Sequence, residues 1–214
     1  MNGNHRHTLP LTLLALYAIV WILCAINPLY PSDWLLENVL VVIFVPIIVW
    51  HYRKTPATHF AYVALFLFMC LHTLGSHYTY AEVPYDNWWQ TLTGGTFNDL
   101  VGWQRNNYDR VVHFGYGLLT TPIWVEILRR GIAGMRGFWL WLIPLTFMMS
   151  HSMLYELIEW LAAVQVGGEL GQAYLGTQGD IWDAHWDMLL ASVGSVVTIV
   201  YMRVTGRLDG GMRP

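Results

Sequence analysis

The chain has 214 residues, 55% of them hydrophobic and only 12% charged, with twelve tryptophans and a formal net charge of −3. A soluble domain carries roughly 25% charged residues, so the composition points to a bilayer protein, and the charge balance gives no hint of nucleic-acid binding; no nucleic-acid partner is expected. The two cysteines, Cys24 and Cys70, both lie in apolar runs and read as free thiols rather than a disulfide framework.

A membrane-spanning helix needs about 20 mostly apolar residues. Six stretches qualify, at 9–26, 35–52, 58–79, 109–128, 138–164 and 182–203. The first is followed by no small-x-small cleavage pattern and reads as a retained anchor rather than a signal peptide. Asn27-Pro28, Pro31-Ser32, Thr55-Pro56 and the stretch from Gly131 to Gly137 punctuate the runs. The expectation is an all-α polytopic membrane protein, residues 1–214 forming a single transmembrane domain of six helices.

Positive loops stay in the cytoplasm. With six spans, Arg6, Arg53, Lys54, Arg129, Arg130, Arg136, Arg203, Arg207 and Arg213 fall on one side, leaving only Arg105 and Arg110 of the eleven basic residues on the other. Both termini are therefore expected in the cytoplasm. The acids do the opposite: of fourteen, only Glu126 and Asp209 belong to the inner side. Asp33, Glu37, Glu82, Asp86, Asp99 and Glu169 join the acids of the last three spans outside. The outer stretch from Tyr80 to Asn107, with Tyr85, Trp88, Trp89, Phe97 and Trp103, is suited to the headgroup level. It is read as either a short interfacial helix over the bundle mouth or a surface loop with an aromatic belt.

Followed in their expected directions, the spans deliver acids and histidines to one depth. His72 and His77 end the third, Asp109 and His113 open the fourth, Glu156 and Glu159 lie in the outer half of the fifth, and Asp183 and Asp187 open the sixth. Asp109 and His113 share a face at i, i+4; Asp180, Asp183 and Asp187 form one stripe. Asp180 also suits a helix N-terminus as a cap. Ionisable groups in a spanning segment are costly and point to function. Arg105 and Arg110 cannot neutralise Glu156, Glu159, Asp183 and Asp187 together with Asp109. The excess is protonated, hydrated or bound to a cation, which leaves two readings: a metal or proton-handling cluster, or a hydrated structural network. Asp109, His113, Glu156, Glu159, Asp183 and Asp187 are the candidate catalytic residues, all but Asp109 also candidate metal ligands; His77 and Arg105 are candidates for binding, Arg105 as an anion holder. Mixed carboxylate and imidazole donors suit Mg, Mn, Fe or Zn. His151, in mid-membrane, reads as a satisfied core histidine, Glu126 as a partner of Arg129 or Arg130, and Gly115 and Gly117 as sites of close helix packing.

Several segments carry a resemblance: His77-Tyr-Thr-Tyr, Glu82-Val-Pro-Tyr-Asp, Val101-Gly-Trp-Gln-Arg-Asn, Tyr108-Asp-Arg-Val-Val-His, Tyr155-Glu-Leu-Ile-Glu-Trp and Tyr174-Leu-Gly-Thr-Gln-Gly-Asp-Ile-Trp-Asp. Across nearly the whole chain these resemble the YjdF-like family of bacterial inner-membrane proteins, which implies topology and an inner-membrane location but no reaction. Thr73 stands where that family usually has Glu, which argues against His72-Thr73 as a ligand pair, and His185 stands where it has Gln or Thr, which argues against His185 as an essential ligand. Asp109 to Leu119 with the Asp-rich entry to the last span is also similar in architecture to VanZ-like membrane proteins. The functional expectation is a membrane-embedded, metal-dependent enzyme acting on a lipid or envelope metabolite from the outer face, with membrane lipids as its partners. The alternatives are an ion-coupled transporter or permease, for which no inverted repeat is visible, and a non-catalytic role in envelope assembly.

Overall fold

The structure is a computed structural model describing residues 4–168, 171 and 175–208. Glu169, Asp209 and Arg213 lie outside the described residues. Among the described residues the chain is helix and turn throughout. Its helices are α1 (Asn4–Cys24), α2 (Pro31–Lys54), α3 (His59–His77), α4 (Tyr85–Thr93), α5 (Phe97–Val101), α6 (Tyr108–Gly131), α7 (Trp139–Val166) and α8 (Asp183–Val204).

Each of the six stretches expected to span holds one long helix. Five of these helices, α1, α2, α3, α6 and α8, are long and apolar enough to cross a membrane. α7 is the longest at 28 residues, but it carries His151, Glu156 and Glu159 within its apolar run and falls short of that apolarity. Its outward side is still oily, with Leu157, Trp160 and Leu161 exposed. The first helix stops at Cys24, two residues before the expected end of the run, where Asn27 turns the chain at a φ of 51°. α2 begins on Pro31, where a missing N–H costs no hydrogen bond. It ends one residue before Thr55-Pro56, since the residue preceding proline avoids helical angles.

The bundle is tightest where α6 crosses α8. A Cβ on Gly117 would strike the Ala191 carbonyl, and one on Gly194 would strike the Phe114 carbonyl. Small residues thus let the two backbones touch, as in other membrane helix pairs. The seam is tied by Thr121 to Ser195 at 3.0 Å and by Thr198 donating to the Leu118 carbonyl at 2.5 Å. A Cβ on Gly115 would meet only side chains, Leu71 at 3.4 Å and Leu119 at 4.0 Å, so Gly117 does the close packing of the pair.

The bundle has a basic end, where Arg129 donates to the Leu208 carbonyl and Arg130 to the Thr55 carbonyl, and an acidic end, where Asp109, Glu156 and Asp187 come together around His113. At the basic end, buried Glu126 accepts from the Thr58 amide (2.9 Å) and hydroxyl (2.5 Å) and pairs with Arg130 at 3.6 Å. It fastens α3 to α6, a structural role. At the acidic end the chain from Tyr80 to Asn107 contains two short helices, α4 and α5, in place of an unstructured surface loop. Each stops on a left-handed glycine, Gly94 and Gly102. Trp88, Leu92 and Leu100 remain exposed on them.

Candidate functional site

The acidic end is built from five helices. Asp109 and His113 lie one turn apart at the start of α6, and the His113 Nε2 stands 3.4 Å from Asp109 Oδ1. Asp187, one turn into α8, completes a group in which single donor atoms of Asp109, His113 and Asp187 all lie within 4.8 Å of one another. Glu156 of α7 approaches the same imidazole, its Oε1 at 3.7 Å from Nε2. His113 and Asp187 are buried, and Asp109 is half-buried. The α6–α8 glycine contact sets this geometry, because it brings the first turns of two helices close enough to face their acids.

Both nearby arginines are committed elsewhere. Arg105 pairs with Asp183 and donates to the Thr177 carbonyl at 2.6 Å. Arg110 bonds Asp180 at 2.5 Å and reaches Asp183 at 3.3 Å. Asp183, expected beside Asp187 as a ligand, is thereby the arginines' partner. Asp180 does not cap α8: the helix begins at Asp183 behind Trp182, and Asp180 accepts from the Trp182 amide at 2.9 Å. That amide, and then Arg110, hold its carboxyl below the ordinary aspartate value. The consequence is an imbalance. Glu156 Oε1 and Asp187 Oδ1 are buried without a hydrogen-bond partner, although buried polar atoms are nearly always satisfied.

Other expected groups lie elsewhere. His77 donates from Nδ1 to the Cys24 carbonyl, 2.8 Å away, and so holds the end of α1. Arg105 is not a free anion holder. Glu159 adjoins Glu156, Glu37 and Asp109 but is outside the group of three. His151 donates from Nδ1 to the Phe147 carbonyl at 3.0 Å and stacks on Trp124, a satisfied core histidine. His185 packs against Trp182, and Thr73 meets the Tyr17 hydroxyl.

The sequence reading missed a second, hydrogen-bonded half of the site. Glu37 of α2, only 4% exposed, accepts from Tyr155 at 3.0 Å and from Tyr80 at 3.4 Å. The Tyr80 hydroxyl also meets His72 Nδ1 at 2.5 Å. Burial, then the Glu37 charge, pushes the Tyr80 phenol well above its ordinary value, so it keeps its proton. Tyr80 reaches inward because Thr79 and Tyr80 both take left-handed angles, φ 50° each. Its ring then lies on Gly75, where a Cβ would come within 2.5 Å of it. Such angles are uncommon for residues other than glycine. The two halves meet where the Tyr155 ring lies edge-on to His113, at 5.7 Å. The readable signal for Glu37 was its i, i+4 spacing from Asp33 in an otherwise apolar helix; nothing local marked Tyr80.

A protein-family profile described as "Predicted membrane protein (DUF2238)" matches residues 9–207. The chain is 34% identical over 169 residues to the inner membrane protein YjdF of Escherichia coli (strain K12), a match covering 79% of this chain and 77% of that protein. No solved structure matches it. The chain therefore belongs to the DUF2238 family of predicted membrane proteins and is an integral protein of the inner membrane.

Proposed function

We propose that Asp109, His113 and Asp187, with Glu156 as a further donor, hold a divalent cation, and that the protein is a metal-dependent enzyme acting on a membrane lipid or another envelope molecule. The observation that carries this reading is the imbalance of partners: three donors converge within 4.8 Å, while one oxygen of Asp187 and one of the adjoining Glu156 are buried without a hydrogen-bond partner. Carboxylate and imidazole donors suit Mg, Mn, Fe or Zn. A cation held there would acidify a water or polarise a phosphoryl oxygen. Glu156 is placed to take or return a proton at His113, and Glu159 adjoins it on α7. Asp183, Arg105 and Arg110 hold the first turn of α8 in position. On the same reading α7 is the sixth span, both termini are cytoplasmic, and the site faces the periplasm, in keeping with the basic residues gathered at the opposite end.

The test is reconstitution in liposomes of phosphatidylethanolamine, phosphatidylglycerol and cardiolipin, with lipids followed by mass spectrometry. A Mg- or Mn-dependent change in lipid species, lost in His113→Gln and kept in Asp99→Asn, supports an enzyme on lipids. No change with any of Mg, Mn, Fe or Zn counts against it.

A further inference from the structure

A cavity of about 330 Å³ opens beneath the cluster. Its upper wall includes His72, Tyr80, His113 and Tyr155. Its floor is the Trp124 ring, which packs on Phe147 at 4.8 Å and on His151 at 5.6 Å. Val112 and Trp124 both line it, a rise of about 18 Å along α6 at about 1.5 Å per residue. One leaflet of a hydrocarbon core about 30 Å thick is about 15 Å deep. The cavity therefore runs from the polar cluster to roughly the middle of a bilayer.

One side of it is open. α2 packs along α3 and meets α7 at the top, through the Tyr155–Glu37 hydrogen bond. Below that bond the rim consists of Ile43 and Ile47 of α2 and Leu154 of α7, and Ile158 of α7 flanks it one turn above Tyr155. All four are apolar and exposed on the outer surface of the bundle. A hydrocarbon chain lying in the membrane can move sideways through this slot without meeting a polar barrier. Two polar groups of the lining have no hydrogen-bond partner, the Trp124 Nε1 and the Ser152 hydroxyl, and Ser152, 2% exposed, is the more deeply buried. A buried donor of this kind is costly unless something brings it an acceptor. Ser152 lies one helical turn below Glu156, and in a glycerophospholipid an ester carbonyl lies a similar short step below the phosphate.

We infer that a diacyl phospholipid enters through the α2–α7 slot, lays one acyl chain in the cavity down to Trp124, and offers an ester carbonyl to Ser152. Its phosphate then stands at Asp109, His113 and Asp187. That last placement rests on the metal reading above; the chain and ester placements do not.

The experiment uses the full-length protein in liposomes containing phosphatidylethanolamine with a diazirine at the end of one acyl chain. After irradiation, labelled residues are mapped by peptide mass spectrometry, with and without EDTA. The expected result is labelling at Trp124, Phe147 or His151 at least fivefold above Val197, an outward residue of α8 at similar depth. Labelling that persists in EDTA supports the slot whether or not a metal binds. Ile43→Trp, which narrows the rim from the lipid side, lowers floor labelling at least fivefold and leaves Val197 unchanged. Ser152→Ala lowers it by about two- to tenfold, the worth of one hydrogen bond. Floor labelling no stronger than at Val197, or unchanged in Ile43→Trp, overturns the inference. A diazirine fatty acid that labels the floor as strongly as the phospholipid overturns the assignment to a phospholipid.

Discussion

Asp187→Asn separates a cation site from a structural acid. The donor atoms of Asp109 and Asp187 lie within 4.8 Å, and two ionised carboxylates at that separation repel by about 3.5 kcal/mol at an effective dielectric of about 20. His113 offsets part of this, so the figure sets only the scale of the strain that one amide relieves. Metal-free Asp187→Asn should therefore melt no lower than metal-free wild type in detergent. Added cation should then act oppositely on the two. At a hundredfold excess over its dissociation constant, a ligand stabilises the native state by about 2.7 kcal/mol. For a chain of 214 residues that corresponds to a rise of about 5–11 °C, at about 2–4 °C per kcal/mol. The wild type should show this rise with at least one of Mg, Mn or Zn, and Asp187→Asn should not. Melting curves by intrinsic fluorescence, with EDTA and with each ion, decide it. If the variant melts well below metal-free wild type and no ion raises the wild type, Asp187 is a structural residue and the cation reading fails.

Three further outcomes follow from the same geometry. Reporter fusions at Gly95 and Gly171 should show periplasmic exposure, and one at Gly134 cytoplasmic exposure; an inner signal at Gly95 would place the acidic cluster on the wrong side for an envelope enzyme. Gly117→Leu should destabilise the bundle by about 1–3 kcal/mol or more through overpacking against Ala191, read as a lower Tm and loss of metal binding, whereas Gly131→Ala, with open space around it, should leave both unchanged. The Asp180 carboxyl sits below its ordinary value in the folded protein, so its stabilisation is present at neutral pH and is lost as pH falls below the ordinary aspartate range near about 4. Asp180→Asn should accordingly flatten the fall in Tm between about pH 5 and pH 3, and an unchanged slope would show that the Trp182 and Arg110 contacts contribute nothing.

Much of the bundle was legible because lipid imposes simple rules. Apolar runs of fixed length marked the helices, and antiparallel alternation then carried Asp109, His113, Glu156 and Asp187 to one end without any motif. Counting two arginines against the acids implied that some acids would be left without an arginine partner, as Asp187 and Glu156 are. It could not say which acids the arginines would take, and that depended on where α8 begins: Asp180 and Asp183 fell to Arg110 and Arg105, leaving Asp187 and Glu156. The half of the site made by Glu37, His72 and Tyr80 was hidden for a different reason. Tyr80 turns inward only because two residues other than glycine adopt left-handed angles and Gly75 leaves room for its ring, and no local pattern in HYTY announces that. His77 looked equivalent to His72 in sequence, yet its five-residue offset along α3 points it to Cys24 instead.

The most direct test of the central claim is the metal content of the full-length protein, purified in detergent without chelator and measured by inductively coupled plasma mass spectrometry. The account predicts about one divalent ion per chain, falling at least fivefold in Asp109→Asn and in Asp187→Asn and unchanged in Asp99→Asn. Wild-type protein that carries no stoichiometric ion, and takes up none when dialysed against Mg, Mn, Fe or Zn, would contradict it.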